Sequence, residues 1–560
     1  MQKLKYEQTK YSFKRIILYV FLFLLLIIYL PTTIWHFPDG IGYYSYLPAI
    51  FKYGNYDFYS IFKSFTPGII GITHKGFVVN DFDIGYSFIC WPVYLFSMIY
   101  ESETFSIMIT NFFSSLLGLV SLFILYKFLV ENLFLEKKYS MLICLCTLIG
   151  TPLLFYSYSV PQNPHTVAAF LCSIYLYFVL TLSEKNETFY TYSLLGVLLG
   201  IISSVRMQRI ILALPLLINL FIKMLKPMYF KKYILLLLTF FVSFIVGLSP
   251  QLINSTIQFG TPLPPKIYTL HVNKYLLLLI YETLFSSYHS IILWTPLIFI
   301  SFIGLFILLK INWLFSVKLL SVIILEILTV SLVISPGGGA SFGIRYLTDI
   351  IFIVGVGLYF LVKLSSNKTR IFVITIMLMC SLWSFILFIL STNNKIDLLK
   401  VYHIRDFITK IFVELKYLNL TLKPRYIPDT DVYLLLTFIL LIIIFISTKY
   451  NRIINTFVCK WIFIILILSL TIFDGYLLSA GVLNRVVYKE EIYKRSLTLS
   501  EYQKFYTLAG LKIRLKYYRL TKQKEKFDYY LTLRDKFWPK TYLGKYYADI
   551  LYSDFYYENN

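Results

Sequence analysis

An aspartate directly after the first hydrophobic segment is the main catalytic candidate in the sequence. Asp39 follows an apolar run that ends near Pro31, and it lies in the stretch Pro38-Asp39-Gly40-Ile41-Gly42-Tyr43-Tyr44. Charged groups close to a bilayer are costly, and those that are kept there tend to be functional. A carboxylate at this position could act as a general base toward a hydroxyl group. The other interpretation is a turn aspartate before glycine, which is a common pairing.

Three further charged residues of the same predicted loop could bind a ligand. Lys75 could contact a phosphate, or it could extend its ammonium group toward lipid headgroups. Asp81 and Asp83 could ligate a divalent metal such as Mg or Mn through hard oxygen atoms. They could equally cap the helix that begins after them. We favour capping and leave the metal requirement open.

Arginines in short turns are candidates for binding an anion. Arg206 and Arg209 bracket Gln208 in one turn, and Arg345 follows the glycine-rich stretch 336–343. A guanidinium group offers a planar fork of donors to phosphate oxygens, while simple anchoring at the membrane interface is the alternative. The glycine-rich stretch is not followed by Lys-Ser or Lys-Thr, so it is not a nucleotide P-loop.

Two histidines lie in turns that we predict on the same side of the membrane as Asp39. His165 ends the segment Val160-Pro161-Gln162-Asn163-Pro164-His165, and His289 precedes the stretch Trp294-Thr295-Pro296. Both are substrate-binding candidates. For His165 the alternative is a hydrogen-bonded structural residue, and the loop around His289 indicates no specific reaction by itself.

The composition is that of a polytopic membrane protein. Hydrophobic residues make up 58% of the 560 residues, charged residues only 14%, and the mean hydropathy is +0.71. A soluble domain has about one quarter charged residues. The net charge of +23 comes mostly from short loops, which favours anionic lipid headgroups over nucleic acid as the partner. Most of the six cysteines lie in apolar runs and predict neither a disulfide framework nor a zinc site.

Apolar runs of about 20 residues predict an all-α fold of about thirteen transmembrane helices. The predicted spans are 15–35, 105–130, 139–158, 163–182, 190–205, 208–225, 233–250, 289–309, 313–335, 345–363, 370–391, 432–448 and 457–478. The run 84–100 is short and contains Trp91-Pro92, so we predict an interfacial or re-entrant helix there. With the N-terminus inside, the short inner loops hold most of the Lys and Arg residues.

This topology places the first loop, residues 36–104, on the outer side. We expect residues 1–480 to form one catalytic transmembrane module. Residues 481–560 are basic and rich in tyrosine, and we expect a small helical tail domain. If the run 84–100 crosses the membrane instead, every later assignment of side is reversed.

Several short motifs, taken in order, resemble integral-membrane glycosyltransferases of the GT-C superfamily, in particular aminoarabinose transferase-like and protein O-mannosyltransferase-like enzymes. The resemblance covers roughly residues 15–390. The matching motifs are Pro38-Asp39-Gly40 with Tyr43-Tyr44, Gly85-Tyr86 before Trp91-Pro92, Gly150-Thr151-Pro152, Pro164-His165, Arg206-Met207-Gln208, Pro250-Gln251 before Phe259-Gly260, and Ser341-Phe342-Gly343 before Arg345-Tyr346.

The resemblance implies a sugar donor carried on a polyprenyl phosphate and an acid in the first outer loop that activates or positions the acceptor. Asp39 occupies that position, while Arg206, Arg209, Arg345 and Lys75 become candidates for binding the donor phosphate. Tyr43, Tyr44, His165, Gln208 and His289 become candidates for binding substrate, although the two tyrosines could instead anchor the loop at the interface. Gly40 stands where some relatives have a second acid, which leaves metal use open.

We therefore expect a glycosyltransferase of the plasma membrane with its active site on the outer face. The sugar would pass with inversion to a glycan, a lipid or a protein, and the sequence does not distinguish these acceptors. One alternative is a transporter or flippase of lipid-linked sugars, favoured by Glu326 within a predicted span. Another is a polysaccharide ligase or polymerase that uses a lipid-diphosphate donor.

Overall fold

A computed structural model describes the parts of the chain on which the candidate site depends. It covers residues 38–54, 71–72, 78–262, 276–332, 341–393, 395–398, 402–416 and 456–487, with isolated positions at 56, 58, 61, 525 and 528. The predicted spans 15–35 and 432–448, the candidate Lys75, and nearly all of the tail 481–560 lie outside these residues.

The described residues are almost entirely helical, which confirms the predicted helical membrane class. One short antiparallel pairing joins β1 (Gly71–Ile72) and β2 (Val78–Val79). The helices that start before residue 200 are α1 (Pro38–Tyr44), α2 (Gly85–Met98), α3 (Glu103–Glu131), α4 (Lys137–Gly150), α5 (Leu153–Tyr158), α6 (His165–Thr181) and α7 (Phe189–Val205). Those that follow are α8 (Leu214–Met224), α9 (Phe230–Gly247), α10 (Ser249–Phe259), α11 (Leu276–Phe285), α12 (Ile291–Trp294), α13 (Pro296–Leu309), α14 (Trp313–Leu332), α15 (Ile351–Leu364), α16 (Asn367–Thr392), α17 (Ile404–Lys416) and α18 (Thr456–Val487).

Six helical segments in the described part are long and apolar enough to cross a membrane. They are Glu103–Glu131, Met207–Met224, Pro227–Gly247, Trp313–Leu332, Arg345–Leu364 and Asn367–Thr392. The shorter apolar helices are His165–Thr181, Phe189–Val205, Pro296–Leu309 and Phe463–Ser479. The total of thirteen spans stays a prediction.

Proline breaks two of the segments that the hydropathy pattern predicts as single spans. The run 139–158 is divided into α4 and α5 at Thr151-Pro152, and the run 289–309 is divided into α12 and α13 at Thr295-Pro296. Proline has no backbone N–H and fits the first turn of a helix, so each break starts a new helix. Hydropathy detects the apolar run but not these breaks.

The doubtful run 84–100 forms the single helix α2. It contains 14 residues with Pro92 inside, and at 1.5 Å per residue it is about 21 Å long. A bilayer core is about 30 Å thick, so α2 is too short to cross it alone. Its length agrees with the predicted interfacial or re-entrant placement, which stays a prediction.

The chain divides into two compact units, and each carries part of the candidate chemistry. Among the described residues, the first unit holds 89–248, 276–332, 341–393, 395–398, 402–416 and 456–467. The second unit holds 38–54, 71–72, 78–88, 249–262 and 468–487, with the isolated positions.

Close helix packing in the first unit depends on small residues. Gly196 and Gly200 lie one turn apart on α7, and a Cβ atom at either would collide with backbone atoms of α9. Gly304 of α13 and Gly357 of α15 approach each other's helices in the same way. Small residues at such spacing let membrane helices pack backbone against backbone. The α7–α9 contact holds the end of α7, from which Arg206 follows.

Candidate functional site

A cluster of charged side chains lies inside the helices of the first unit. His165 begins α6, Arg206 follows α7, and Arg209 lies in the 3₁₀ helix Met207–Ala213. Glu326 lies within α14, and Asp349 lies in the 3₁₀ helix Arg345–Ile350. All five side chains are buried, although they come from distant parts of the sequence.

Arg209 is the central cation of this cluster. Its Nη1 donates to Glu326 Oε2 at 2.9 Å and its Nη2 donates to Glu326 Oε1 at 2.7 Å, so the pair is bidentate. Its Nε lies 2.9 Å from Asp349 Oδ2, and Nη2 also donates to the carbonyl oxygen of Tyr346 at 3.1 Å. Paired forks of this kind combine strong charge-assisted bonds with a fixed orientation. Arg209 therefore ties α14 to the segment that carries Arg345 and Tyr346.

Asp349 connects Arg209 to His165 and Arg206. Its Oδ1 lies 3.0 Å from His165 Nδ1, and its Oδ2 lies 3.4 Å from Arg206 Nε. Arg206 Nη1 lies 2.6 Å from His165 Nδ1 and 3.1 Å from His165 Nε2. The imidazole is thus held between the Asp349 carboxylate and the Arg206 guanidinium group, and the donor and acceptor roles of its two nitrogens depend on the tautomer. His165 is thus a hydrogen-bonded member of the network.

Aromatic and amide groups complete the surroundings of Arg206. The guanidinium carbon of Arg206 lies 4.6 Å from the centre of the Tyr346 ring, and that of Arg345 lies 5.5 Å from it. With its amide oxygen directed toward the arginines, Gln208 accepts from Arg206 Nη2 at 2.9 Å and from Arg209 Nη2 at 3.0 Å. Arg345 is only half-buried, so it is the more accessible of the three arginines.

These contacts separate roles that the sequence analysis grouped together. Arg206, Arg209 and Arg345 were all candidate phosphate ligands, but Arg209 is paired with the carboxylates of Glu326 and Asp349. Such an arrangement argues for a positioning role for Arg209. Gln208, predicted to bind substrate, joins the same arginines. Arg345 is the most exposed of the three arginines.

Sequence reasoning did not select Asp349, which joins three of the predicted site residues. The signal was present, because acids within apolar runs are expensive and are normally paired. Glu326 and Asp349 both lie inside predicted spans, and Arg209 at the start of another span supplies the opposite charge. The cost of leaving these charges unpaired predicts ion pairs between the two acids and the arginines. It does not predict which acid pairs with which arginine.

In the second unit, the candidate base lies in the first turn of a short helix. Asp39 is the second residue of α1 and is half-buried, and Tyr43 and Tyr44 lie at the end of the helix. The ring of Tyr43 lies 4.7 Å from that of Phe82, and Ser87 Oγ donates to the Tyr43 carbonyl oxygen at 2.7 Å. An acid in the first turn is favoured by the helix dipole.

A polar network holds α1 against the segment that follows β2. Asn80 Nδ2 donates to the carbonyl oxygen of Gly42 at 2.7 Å and to Ser45 Oγ at 2.9 Å. The hydroxyl of Tyr46 donates to the carbonyl oxygen of Phe82 at 2.7 Å. The carbonyl oxygen of Asn80 lies 3.0 Å from the same hydroxyl. These bonds fix the position of α1, which carries Asp39 in its first turn.

Helix α10, which comes later in the sequence of the second unit, completes this network. Asn254 and Gln258 donate to the Tyr46 hydroxyl at 3.2 and 3.1 Å, and Gln258 Oε1 accepts from the Asn80 N–H at 2.7 Å. Burial raises the pKa of Tyr46 well above its usual value, so the phenol stays protonated and keeps donating. The polar residues of 251–258 are thus explained as a support for the first loop.

The remaining candidates are placed as follows. Asp81 and Asp83 are half-buried beside Ile84, whose backbone N–H donates to Gln251 Oε1 at 3.0 Å. Within the described ranges, no three His, Cys, Asp or Glu residues are grouped so as to hold a metal ion. In the first unit, His289 Nε2 donates to the carbonyl oxygen of Leu398 at 2.9 Å, and its ring packs near Trp294.

Comparison with known proteins gives one match. Residues 88–253 match the family model of dolichyl-phosphate-mannose-protein mannosyltransferase. The match covers under a third of the chain, and it supports the resemblance to GT-C glycosyltransferases. It includes His165 and the turn that holds Arg206, Gln208 and Arg209. No curated protein and no solved structure matches the chain significantly.

Proposed function

We propose that the chain is a membrane glycosyltransferase that takes a sugar from a polyprenyl-phosphate donor and acts on the outer face of the plasma membrane. One observation carries the proposal. The stretch similar to dolichyl-phosphate-mannose-protein mannosyltransferases supplies His165, Arg206 and Arg209 to the buried charge network of the first unit. A resemblance in sequence thus coincides with a costly arrangement of charges inside apolar helices.

The donor phosphate is assigned to Arg345, supported by Arg206. A phosphate leaving group needs stabilisation of its growing negative charge, and preorganised cationic donors supply it. Arg345 adjoins Tyr346, whose carbonyl oxygen is held by Arg209 and whose ring lies beside Arg206. The buried pairs therefore fix the backbone from which Arg345 extends. Lys75 stays a further candidate on the ground of sequence.

The role of general base is assigned to Asp39, because of the resemblance and because of its place in the first turn of α1. An acceptor hydroxyl would attack the anomeric carbon, its proton would pass to the carboxylate, and the polyprenyl phosphate would leave with the bonding electrons. This single displacement inverts the anomeric configuration. General base assistance of this kind contributes roughly 10²–10⁴-fold to a rate. Asp81 and Asp83 remain the candidates for any divalent metal.

The transporter alternative depended on Glu326, and its contacts weaken that reading. A coupling carboxylate must change its partner or its proton during a transport cycle, whereas Glu326 forms a bidentate pair with Arg209 and both side chains are fully buried. The ligase or polymerase alternative differs only in its lipid-diphosphate donor. It keeps the same requirement for a cationic site.

The test is sugar transfer by the purified protein in lipid nanodiscs. Polyprenyl phosphates and polyprenyl diphosphates that carry radiolabelled sugars are offered with extracted glycan, lipid and protein acceptors. Wild type is expected to form a new glycosidic bond from the monophosphate donor, and Asp39→Asn is expected to lose this activity while remaining abundant. Asp406→Asn, which changes an exposed aspartate, is the control and should transfer normally.

Other outcomes of the same experiment separate the alternatives. With the same protein and donors in sealed vesicles instead of nanodiscs, movement of labelled lipid across the bilayer without a new glycosidic bond would establish the flippase instead. Use of only the diphosphate donor would establish the ligase or polymerase. Normal transfer by Asp39→Asn would remove the proposed base.

A further inference from the structure

The turn before α6 buries an amide side chain that has no partner. Gln162 is 2% exposed, and within the part of the chain that the structure describes neither its Oε1 nor its Nε2 makes a hydrogen bond. The side-chain oxygen of the next residue, Asn163, is buried in the same way. Buried polar atoms in folded proteins are nearly always satisfied, so each exception needs an explanation.

A second glutamine shows what a satisfied amide looks like in the same chain. Gln251 is also 2% exposed, but its Oε1 accepts from the Ile84 N–H at 3.0 Å and its Nε2 donates to Ser255 Oγ at 3.2 Å. Gln251 therefore has an internal structural role. Gln162 is equally buried without such a role, which indicates that its partner comes from outside the protein.

The location of Gln162 points to the ligand. The turn leads within three residues to His165, which is bound to Asp349 and Arg206. Helix α6 packs against the 3₁₀ helix Arg345–Ile350, in which the hydroxyl of Thr348 is also buried without a hydrogen bond in the described structure. The unsatisfied polar atoms of Gln162, Asn163 and Thr348 thus lie on two segments that carry the charge network, while other such atoms, among them Asn111 Oδ1 and Ser203 Oγ, lie elsewhere in the described structure.

We infer that the Gln162–Asn163 turn binds hydroxyl groups of the sugar that the lipid phosphate carries, an inference that rests on the proposed function. An amide offers donors and an acceptor, and a sugar hydroxyl also both donates and accepts. A phosphate at neutral pH offers mainly acceptors, so it would leave the two side-chain oxygens without a donor. The chemistry of the turn therefore selects the sugar, while the phosphate is left to Arg345.

Binding measurements with two probes test this division. The probes are a short-chain polyprenyl phosphate and the same lipid carrying a hexose, used as a panel of common hexoses on the purified full-length protein. Gln162→Leu is expected to bind the preferred hexose-bearing lipid about tenfold more weakly, as the loss of one or two neutral hydrogen bonds implies. Its affinity for the bare lipid phosphate should be unchanged.

Thermal stability without ligand supplies the second readout. Gln162→Leu removes an unsatisfied amide, so its Tm should be unchanged or higher, whereas Gln251→Leu breaks two internal bonds and should lower Tm. Gln162→Glu keeps the shape but loses the donors, and it should also weaken binding of the hexose-bearing lipid. It serves as a second variant should the leucine variant fold poorly.

Three results would overturn the inference. If Gln162→Leu binds both probes like wild type, the amide contacts only water. If it loses Tm as Gln251→Leu does, its role is structural. If wild type binds the bare lipid phosphate as tightly as every hexose-bearing lipid, no sugar subsite exists. Failure of the proposed function appears differently, as the absence of sugar transfer by a wild-type protein whose probe binding still depends on Gln162.

Discussion

Arg209 and Glu326 form a bidentate ion pair in which both side chains are fully buried, with N–O distances of 2.9 and 2.7 Å. The pair joins the start of one candidate span to the middle of another. Burying two charges costs solvation that their attraction must repay, and removal of one partner leaves the other charge uncompensated. The pair therefore acts as a fixed internal strut, and this property distinguishes it from a site that must accept and release a ligand.

The first prediction concerns this strut. Glu326→Leu should destabilise the protein by about 3–5 kcal/mol, because it leaves Arg209 buried with Asp349 as its sole carboxylate partner. The double variant Arg209→Met/Glu326→Leu should recover most of this loss. The measurement is the thermal transition in detergent together with the yield of folded protein.

A weaker ion pair provides the control for the strut. Lys138 and Glu136 lie 3.1 Å apart at the start of α4, and their side chains are 67% and 62% exposed. Glu136→Gln should leave the thermal transition almost unchanged, as is usual for exposed pairs. If the double variant folds but binds lipid phosphate more weakly by the amount that Arg345→Ala causes, Arg209 contacts the phosphate directly and its positioning role is rejected.

The helical class and most segments followed from apolar runs of membrane length. The runs 105–130, 163–182 and 190–205 correspond to α3, α6 and α7 within a few residues. The breaks at Pro152 and Pro296 did not follow, because hydropathy averages over a window and does not register the loss of one backbone donor. The proline positions themselves held that information.

The candidate site could be predicted in its residue types but not in its pairing. Arg206 and Arg209 were selected as two guanidinium groups in one predicted outer turn, and His165 for its predicted place on the same side as Asp39. Their connection through Asp349 depends on which helices pack together, and a single sequence does not state this. The role of residues 251–258 was also beyond reach, because their hydrogen bonds go to Tyr46, Asn80 and Ile84, far away in the chain.

The second prediction concerns the donor phosphate. Arg345→Ala should raise the KM for a polyprenyl-phosphate donor by about tenfold to a hundredfold, because a hydrogen bond to a charged group contributes about 1.5–3 kcal/mol. Arg345→Lys should recover only part of the loss, since an ammonium group lacks the planar fork. The measurement is initial rate against donor concentration.

Arg370 is the matched control for Arg345. Its guanidinium group donates to the carbonyl oxygens of Val362 and Ser365 at 3.0 and 3.1 Å near the start of α16. Arg370→Ala should leave the donor KM unchanged. An Arg345→Ala enzyme with the donor dependence of wild type would exclude Arg345 from the phosphate site.

The third prediction concerns the support of the first loop. Tyr46→Phe removes a hydroxyl that donates to Phe82 and accepts from Asn254 and Gln258. Gln258 Nε2 keeps its bond to Asn254 Oδ1, but a buried group left unpaired, as at Asn254 Nδ2, costs about 1–3 kcal/mol, and the resulting loosening of α1 should lower kcat. The donor KM should stay near that of wild type, because the phosphate is assigned to the first unit.

Tyr53→Phe, which changes a tyrosine that is 48% exposed, is the control and should alter neither Tm nor kcat. Tm and the separate values of kcat and KM decide the outcome. A Tyr46→Phe protein with normal stability would mean that the network around Asn80 does not hold α1. A rise in donor KM without a change in kcat would mean that the loop binds the donor rather than the acceptor.

The fourth prediction concerns which face of the membrane carries each loop. Single cysteines at the exposed positions Glu101 and Lys395 should react with a membrane-impermeant maleimide added to intact cells, because we place the first loop and the loop after α16 outside. A cysteine at Lys138, before α4, should react only after the membrane is opened, since the basic inner loops face the cytoplasm. A background without native cysteines is needed, because Cys144 and Cys380 are only half-buried.

Labelling of the cysteines at positions 138 and 395 from the same side would show that the number of spans between them is even. It would then contradict the predicted series of spans between these two positions, on which the outer placement of the arginine turns depends.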